Sequence, residues 1–204
     1  MYIIMCSSHA IFLDRDGTIV KDTGGILYKK NIEFLFGLKE FLLNALKLKY
    51  KIIMITNQTS VSKGLISYTK MKETNNYLLR KIDKIVGVNS VFDGIYICPY
   101  HPNAQVKKYK ADPEDRKPKP GMLIKAQKDM QLNFEKCLMV GDRVSDIVAG
   151  NLVGCETVLL EGNFNNHKMI KTNLNFSSEM IRPNHNVKSL KDIIPIMEKF
   201  LWKQ

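Results

Sequence analysis

The chain has 204 residues, 45% of them hydrophobic, and a formal net charge of +11. That length can bury a sizeable core in a single domain, 1–204, and the apolar content excludes a disordered chain, while no apolar run is long enough to span a bilayer. The charge suits an anionic ligand, but it is mostly lysine scattered along the chain with no basic stretch interleaved with aromatics, so a small anion is expected as partner and nucleic acid is not.

In chain order, Met1–Ala10 lacks the basic flank of a secretory leader, and a cytoplasmic protein is expected. Ala10-Ile11-Phe12-Leu13 fits a short buried strand ending in two carboxylates, Asp14 and Asp16, with Gly17 free to turn the backbone sharply after them. Acids this close repel, so a divalent metal must stabilise one charge, or one acid must keep its proton and serve as a donor. Ile19–Ile32 is turn-rich and suits a small hairpin over that point. Leu38, Phe41, Leu42, Ala45 and Leu46 recur at helical spacing, predicting an amphipathic helix that ends near Lys49. Lys51–Asn57 is a second buried strand, finishing in Thr56 and Asn57, and a loop with Ser60, Ser62 and Gly64 follows.

Tyr68–Val86 reads as a helix and Gly94–Cys98 as a third strand, stopped by Pro99. Residues 99–120 form a long charged loop that delivers Arg116, Lys117 and Lys119 to a short helix over Gly121–Met130. Cys137–Val140 is a fourth strand, running into Gly141-Asp142, with Ser145 expected to cap a helix through Gly150. Thr157–Leu160 is a fifth strand. Residues 161–186 read as loop, and a last helix is expected to begin near Asp192, because Pro195 fits a first turn and not an interior. Strands alternating with helices predict an α/β fold, a single Rossmann-like parallel sheet flanked by helices with a minimal cap made of loops.

Parallel strands deliver their carboxyl ends to one edge, so Asp14/Asp16, Thr56/Asn57, Lys117 and Asp142 can converge there. Three carboxylates suffice for a mostly hydrated Mg²⁺, and a hydroxyl, an amide and a lysine can hold a phosphoryl group. That inventory suits phosphoryl transfer, where positioning and charge neutralisation do most of the work.

Phe-Leu-Asp-Arg-Asp-Gly at 12–17, Thr-Asn-Gln at 56–58, Arg-Lys-Pro-Lys-Pro-Gly-Met at 116–122 and Gly-Asp-Arg-Val-Ser-Asp at 141–146 resemble the four ordered motifs of haloacid dehalogenase-type phosphatases. Within them, the chain is similar to the D,D-heptose 1,7-bisphosphate 7-phosphatase and histidinol phosphatase branch, over about residues 10–160. The resemblance implies that Asp14 is the nucleophile, forming an aspartyl-phosphate, and that Asp16 is the acid and base. It implies Mg²⁺ held by Asp14, by the main-chain carbonyl of Asp16 and by Asp142. Thr56, Asn57 and Lys117 would bind the phosphoryl group, Arg116 and Arg143 the rest of the substrate, and Asp146 would orient Lys117 or a metal-bound water.

The chain departs from this family at its zinc loop. Where relatives carry Cys-Pro-His-His-Pro and Cys-x-Cys, this sequence has Cys98-Pro99-Tyr100-His101-Pro102 and Pro113-Glu114-Asp115. One of four ligand positions keeps its residue, Cys98, so zinc is not expected. Cys6, Cys98, Cys137 and Cys155 read as reduced thiols, and His9, His167 and His185 show no ligand spacing. The resulting expectation is a monomeric Mg²⁺-dependent phosphatase acting on the 7-phosphate of D-glycero-D-manno-heptose 1,7-bisphosphate, in lipopolysaccharide or capsule biosynthesis. The alternatives are histidinol-phosphate phosphatase, a polynucleotide 3′-phosphatase, which the +11 charge would favour, and a non-enzymatic protein that kept the fold.

Overall fold

Strand side chains alternate between two faces, so a parallel sheet buried on both sides needs helices on both. The computed structural model describes residues 9–22, 24, 28–161 and 176–202. Cys6, His167 and most of the 161–186 segment lie outside them. Six strands form one parallel sheet: β1 Ala10–Leu13, β2 Lys51–Asn57, β3 Gly94–Cys98, β4 Cys137–Gly141, β5 Glu156–Leu160 and β6 His185–Val187, in the spatial order β3-β2-β1-β4-β5-β6. The helices are α1 Leu38–Lys47, α2 Thr59–Ser62, α3 Tyr68–Val86, α4 Gly121–Met130, α5 Val144–Asn151 and α6 Ile194–Trp202.

Ile11, Leu13, Ile52, Met54, Leu138 and Val140 share one face and pack with Leu38, Phe41 and Leu42 of α1, Leu78 and Ile82 of α3 and Met197 of α6. The residues between them in sequence, Ala10, Phe12, Ile53, Ile55 and Met139, face the other way, against Met122, Leu123 and Ala126 of α4 and Ala149 of α5. The chain crosses from the β3 edge to the far side of β1 between β3 and β4, which puts the reversal of strand order at the β1–β4 boundary. There Leu13 pairs with Val140, and the Asp14 amide extends the ladder to the Val140 carbonyl at 3.0 Å. Asp14 and the Gly141-Asp142 turn therefore leave the sheet side by side.

β2, β3, α3 and α4 span the residues that the sequence predicts. Pro195 falls in the first turn of α6, after a 3-10 turn at Leu190–Ile193. The segment after β1 folds back on itself, with Lys21 bonded to the Glu33 carbonyl at 2.9 Å and Leu35 to that of Ile19 at 3.1 Å, so its return strand lies just beyond the predicted Ile32. The loop carrying Ser60 and Ser62 contains one turn of helix, α2, and the end of the 161–186 segment enters the sheet as β6. α5 begins two residues earlier than a Ser145 cap requires. Its N-cap is Arg143, whose amide is bonded by the Asp146 carboxylate at 3.0 Å.

Phe41 is fully buried where α1 meets the sheet. Phe41→Ala should cost about 3–5 kcal/mol, read as a lowered urea midpoint with an unchanged m-value.

Candidate active site

Lys117 is a charge almost completely removed from water, 3% exposed. Its Nζ lies 2.7 Å from Asp14 Oδ1, 2.6 Å from Asp146 Oδ1 and 2.9 Å from the Ile55 carbonyl oxygen. An ammonium has three N–H donors, and these contacts use them all. Burial alone would lower the Lys117 pKa, but the two carboxylates outweigh it and hold the group above its ordinary value, so it is permanently charged. Its main chain is fastened too: the Asn57 amide donates to the Lys117 carbonyl at 2.9 Å and its Oδ1 accepts from the Lys117 N–H at 3.2 Å.

Each partner comes from a strand end or a helix start. Asp14 follows β1, Asn57 ends β2, Asp142 follows β4, and Asp146 sits in the first turn of α5, where the helix dipole favours a negative charge. Gly17 closes the turn after the acid pair at φ +87°, a conformation that favours glycine, and a Cβ there would land on the Asp142 carboxylate.

Asp14, Asp142 and Asp146 present ligand oxygens within 4.8 Å of one another, the only such acidic, histidine or cysteine cluster among the described residues. Three carboxylates face the Lys117 ammonium and the more distant Arg143 guanidinium, 3.9 Å from Asp142 Oδ2, in a buried place. Asp142 Oδ1 is buried with no hydrogen-bond partner. Burial first, then the charges of Asp14 and Asp146, push the Asp142 carboxyl up to about 8, and burial likewise raises Asp146. This donor set, all oxygen and rich in carboxylate, fits a hard divalent cation such as Mg²⁺.

Asp16 is held by a different set of partners. Its carboxylate accepts from Arg15 Nη2 at 2.7 Å on each oxygen and from Gln58 Nε2 at 3.2 Å. Burial raises its pKa and the Arg15 charge opposes that rise. Gln58 Nε2 also donates to Thr56 Oγ1 at 2.9 Å, so the Thr56 hydroxyl accepts there and keeps its own proton to offer.

A cleft opens over this group, lined by Asp14, Asp16, Asn57, Thr59, Lys117, Arg143 and Asp146. Arg143 is tied to Asp22 at 2.6 Å across its mouth. Arg116 stands apart from it, with Nη1 donating to the Tyr100 carbonyl at 2.9 Å. Lys119 is held by Asp112 and Glu114 on the loop surface.

The 99–120 loop is held by its own contacts. Tyr100 packs edge-on against Tyr109 at 5.8 Å, the His101 amide bonds the Tyr109 carbonyl, and His101 Nδ1 accepts from the Asn103 amide. Cys98 is buried beneath them as a free thiol.

Arg15, Gln58 and Asn75 go unassigned from sequence, as do Thr59 and Asp22 at the cleft. The first two lie inside the quoted motifs. Asn75 is signalled only by being a polar residue on the face of α3 that carries Met71, Leu78 and Ile82.

The family model described as HAD-hydrolase-like matches residues 114–193. The chain is 38% identical over 157 residues to the D-glycero-alpha-D-manno-heptose-1,7-bisphosphate 7-phosphatase of Burkholderia mallei, covering 75% of this chain and 79% of that one. It is 36% identical over 146 residues to the beta-specific counterpart of Helicobacter pylori, covering 72% and 79%. Among solved structures, a HAD-like phosphatase from Mesorhizobium loti superposes with a TM-score of 0.76 at 25% identity, covering 94% of this chain and 87% of that one. The D,D-heptose 1,7-bisphosphate phosphatase of B. bronchiseptica, complexed with magnesium and phosphate, gives 0.73 at 21% identity and shares the fold over 96% and 99%.

A carboxyl whose folded pKa is raised binds its proton more tightly in the native state than in the unfolded chain. The native state therefore holds the extra proton between the ordinary value of 3.8 and about 8, and stability falls as pH rises through that window. The metal-free protein should lose thermal stability between about pH 5 and about pH 8. Asp142→Asn should flatten the slope, and Mg²⁺ should raise the midpoint more at the alkaline end. A slope unchanged by Asp142→Asn would assign the effect to another group. Gly17→Ala should be destabilising and weaken Mg²⁺ binding, measured by calorimetric titration.

Proposed function

The chain belongs to the heptose-bisphosphate phosphatase family of HAD-like hydrolases, and from that membership and the geometry of its cleft we propose that it hydrolyses the 7-phosphate of D-glycero-D-manno-heptose 1,7-bisphosphate through an aspartyl-phosphate. The observation that carries the reading is the Lys117 ammonium seated between Asp14 and Asp146 beside the unpartnered Asp142 oxygen.

Asp14, the Asp16 main-chain carbonyl and Asp142 would hold Mg²⁺, which supplies charge neutralisation to the phosphoryl oxygens. In the first step an Asp14 oxygen bonds to phosphorus as the bond to the heptose oxygen breaks, and Asp16 gives its proton to that departing oxygen. In the second, water adds to phosphorus, Asp16 takes the water's proton, and the bond to Asp14 breaks, releasing phosphate. Thr56 offers its hydroxyl proton to a phosphoryl oxygen. Asn57 acts through its side chain on the Lys117 main chain, leaving its backbone amide for the phosphate. Because all three Lys117 donors are used, the lysine reaches the phosphoryl group by exchanging its bond to Asp14 for one to the transferring oxygen. Asp146 keeps the ammonium in place through that exchange.

Arg143 swings between Asp22 and the second phosphate, since 59% of its side chain is exposed and a charged arm on that scale reorients at little cost. Arg116 would meet the sugar from the loop side only after leaving the Tyr100 carbonyl. Zinc has no part in this reading. The Tyr100–Tyr109 contact and the loop's main-chain bonds hold residues 99–120 in its stead. Cys98 and Cys155 are buried free thiols, which suits a reducing cytoplasm.

Asp14→Asn should abolish turnover of the bisphosphate while circular dichroism stays native, because a carboxamide does not attack phosphorus. Retention of more than about one hundredth of wild-type activity would remove the covalent mechanism, since loss of a nucleophile costs far more. Activity should vanish on removal of Mg²⁺ and return on adding it. Elemental analysis of the active protein should find no stoichiometric zinc, and a full equivalent would refute the zinc-free loop.

A further inference from the structure

Arg15 is the largest fully buried side chain among the described residues, 2% exposed, and it lies between the two catalytic acids in sequence. A buried guanidinium must have its donors satisfied, and here the partners come from opposite directions. Nε reaches Asp16 Oδ1 at 3.0 Å, and Nη2 reaches both Asp16 oxygens at 2.7 Å. Nη1 donates to Asn75 Oδ1 at 2.7 Å, across 60 positions of sequence. Asn75 is 2% exposed on the inner face of α3, and its amide nitrogen is spent on Met71 Sδ at 3.1 Å. The Arg15 main chain is fixed as well, its carbonyl accepting from the Ile19 and Val20 amides.

We propose that Arg15, braced from behind by Asn75, is the positioning residue for the Asp16 carboxylate. The inference rests on the reading of Asp16 as acid and base. A carboxylate on one rotatable arm sweeps a cone, and proton transfer needs it within hydrogen-bond reach of the leaving oxygen. A planar fork grips both oxygens and fixes the plane of the group, which a point charge cannot do. The second arm of the same guanidinium is bonded to α3, so the orientation of the acid is set by a helix that contributes nothing else to the cleft. Gln58 completes the arrangement, bonding Asp16 Oδ2 and Thr56 Oγ1 at once and locking the acid in register with the phosphoryl-binding hydroxyl.

Leaving-group chemistry tests this. A sugar alkoxide departs only with a proton, whereas nitrophenolate departs without one. Phosphorylation of Asp14 is followed in single turnovers with heptose bisphosphate and with p-nitrophenyl phosphate, for wild type, Asp16→Asn, Arg15→Lys and Asn75→Ala, with Mg²⁺ affinity and melting temperature as controls. Arg15→Lys keeps the charge and loses the fork. It should slow the sugar phosphate about 10- to 100-fold and the aryl ester far less, within the range that a positioned acid contributes. Asn75→Ala should show the same preference more weakly, and it carries the test should Arg15→Lys fail to fold. Equal losses on both substrates, or none, in Arg15→Lys and Asn75→Ala, with Asp16→Asn still selective for the sugar phosphate, would overturn the inference alone. If Asp16→Asn itself slows both substrates equally, the acid assignment falls and takes the inference with it.

Discussion

The site depends on one ion cluster, the ammonium of Lys117 set between the carboxylates of Asp14 and Asp146. Moving these charges out of water is expensive, and the attraction between them repays that only when the geometry is good and every donor is used. Here every donor is used. The cluster still carries more negative than positive charge, which is the condition for recruiting a cation and then an anionic substrate in sequence. A protein selected only for stability would gain from replacing it with apolar side chains. Its retention marks a place where stability is given up for electrostatic work.

The sheet makes that cluster affordable to hold. Asp14 leaves β1 and Asp142 leaves β4 at the one boundary where the strand order reverses, so no helix connection closes over them. Residues from β2 approach from the other side of β1, and the 99–120 segment brings Lys117 in over the top. Rigidity comes from central strands that are buried along most of their length, while exposed side chains such as Arg143 sit on the cleft rim.

Much of the fold is legible in the sequence because its elements are long or apolar enough to be seen locally. Lys51–Asn57 is a continuous apolar run with polar ends, and Tyr68–Val86 repeats its apolar residues at helical spacing with Gly87 closing it. β6 escapes because it is three residues long with Asn186 in the middle, and its pairing with Leu160 and its neighbours comes from outside its own sequence. α2 is a single turn. The Ser145 cap is displaced because the Asp146 side chain reaches back to the Arg143 amide, a contact that shifts the start of the helix. At the site, the motifs name the acids, the hydroxyl and the lysine. They are silent on who holds whom. That Asn57 fastens the main chain of Lys117, and that Asn75 stands behind Arg15, are relations between distant segments that no local pattern encodes.

The Lys117–Asp14 pair joins positions 103 residues apart, and the Asn57–Lys117 pair joins positions 60 apart. Contacts of such separation are the last for which a growing chain can meet the loop-closure entropy. A nascent polypeptide that has emerged only as far as β3 carries the acid pair and the threonine, yet has neither the lysine that balances them nor Asp142. In such a chain the Asp14 carboxylate lacks the ammonium that partners it in the folded protein. The same long-range closure that completes the tertiary structure therefore also assembles the charge cluster, which has no local precursor in the chain.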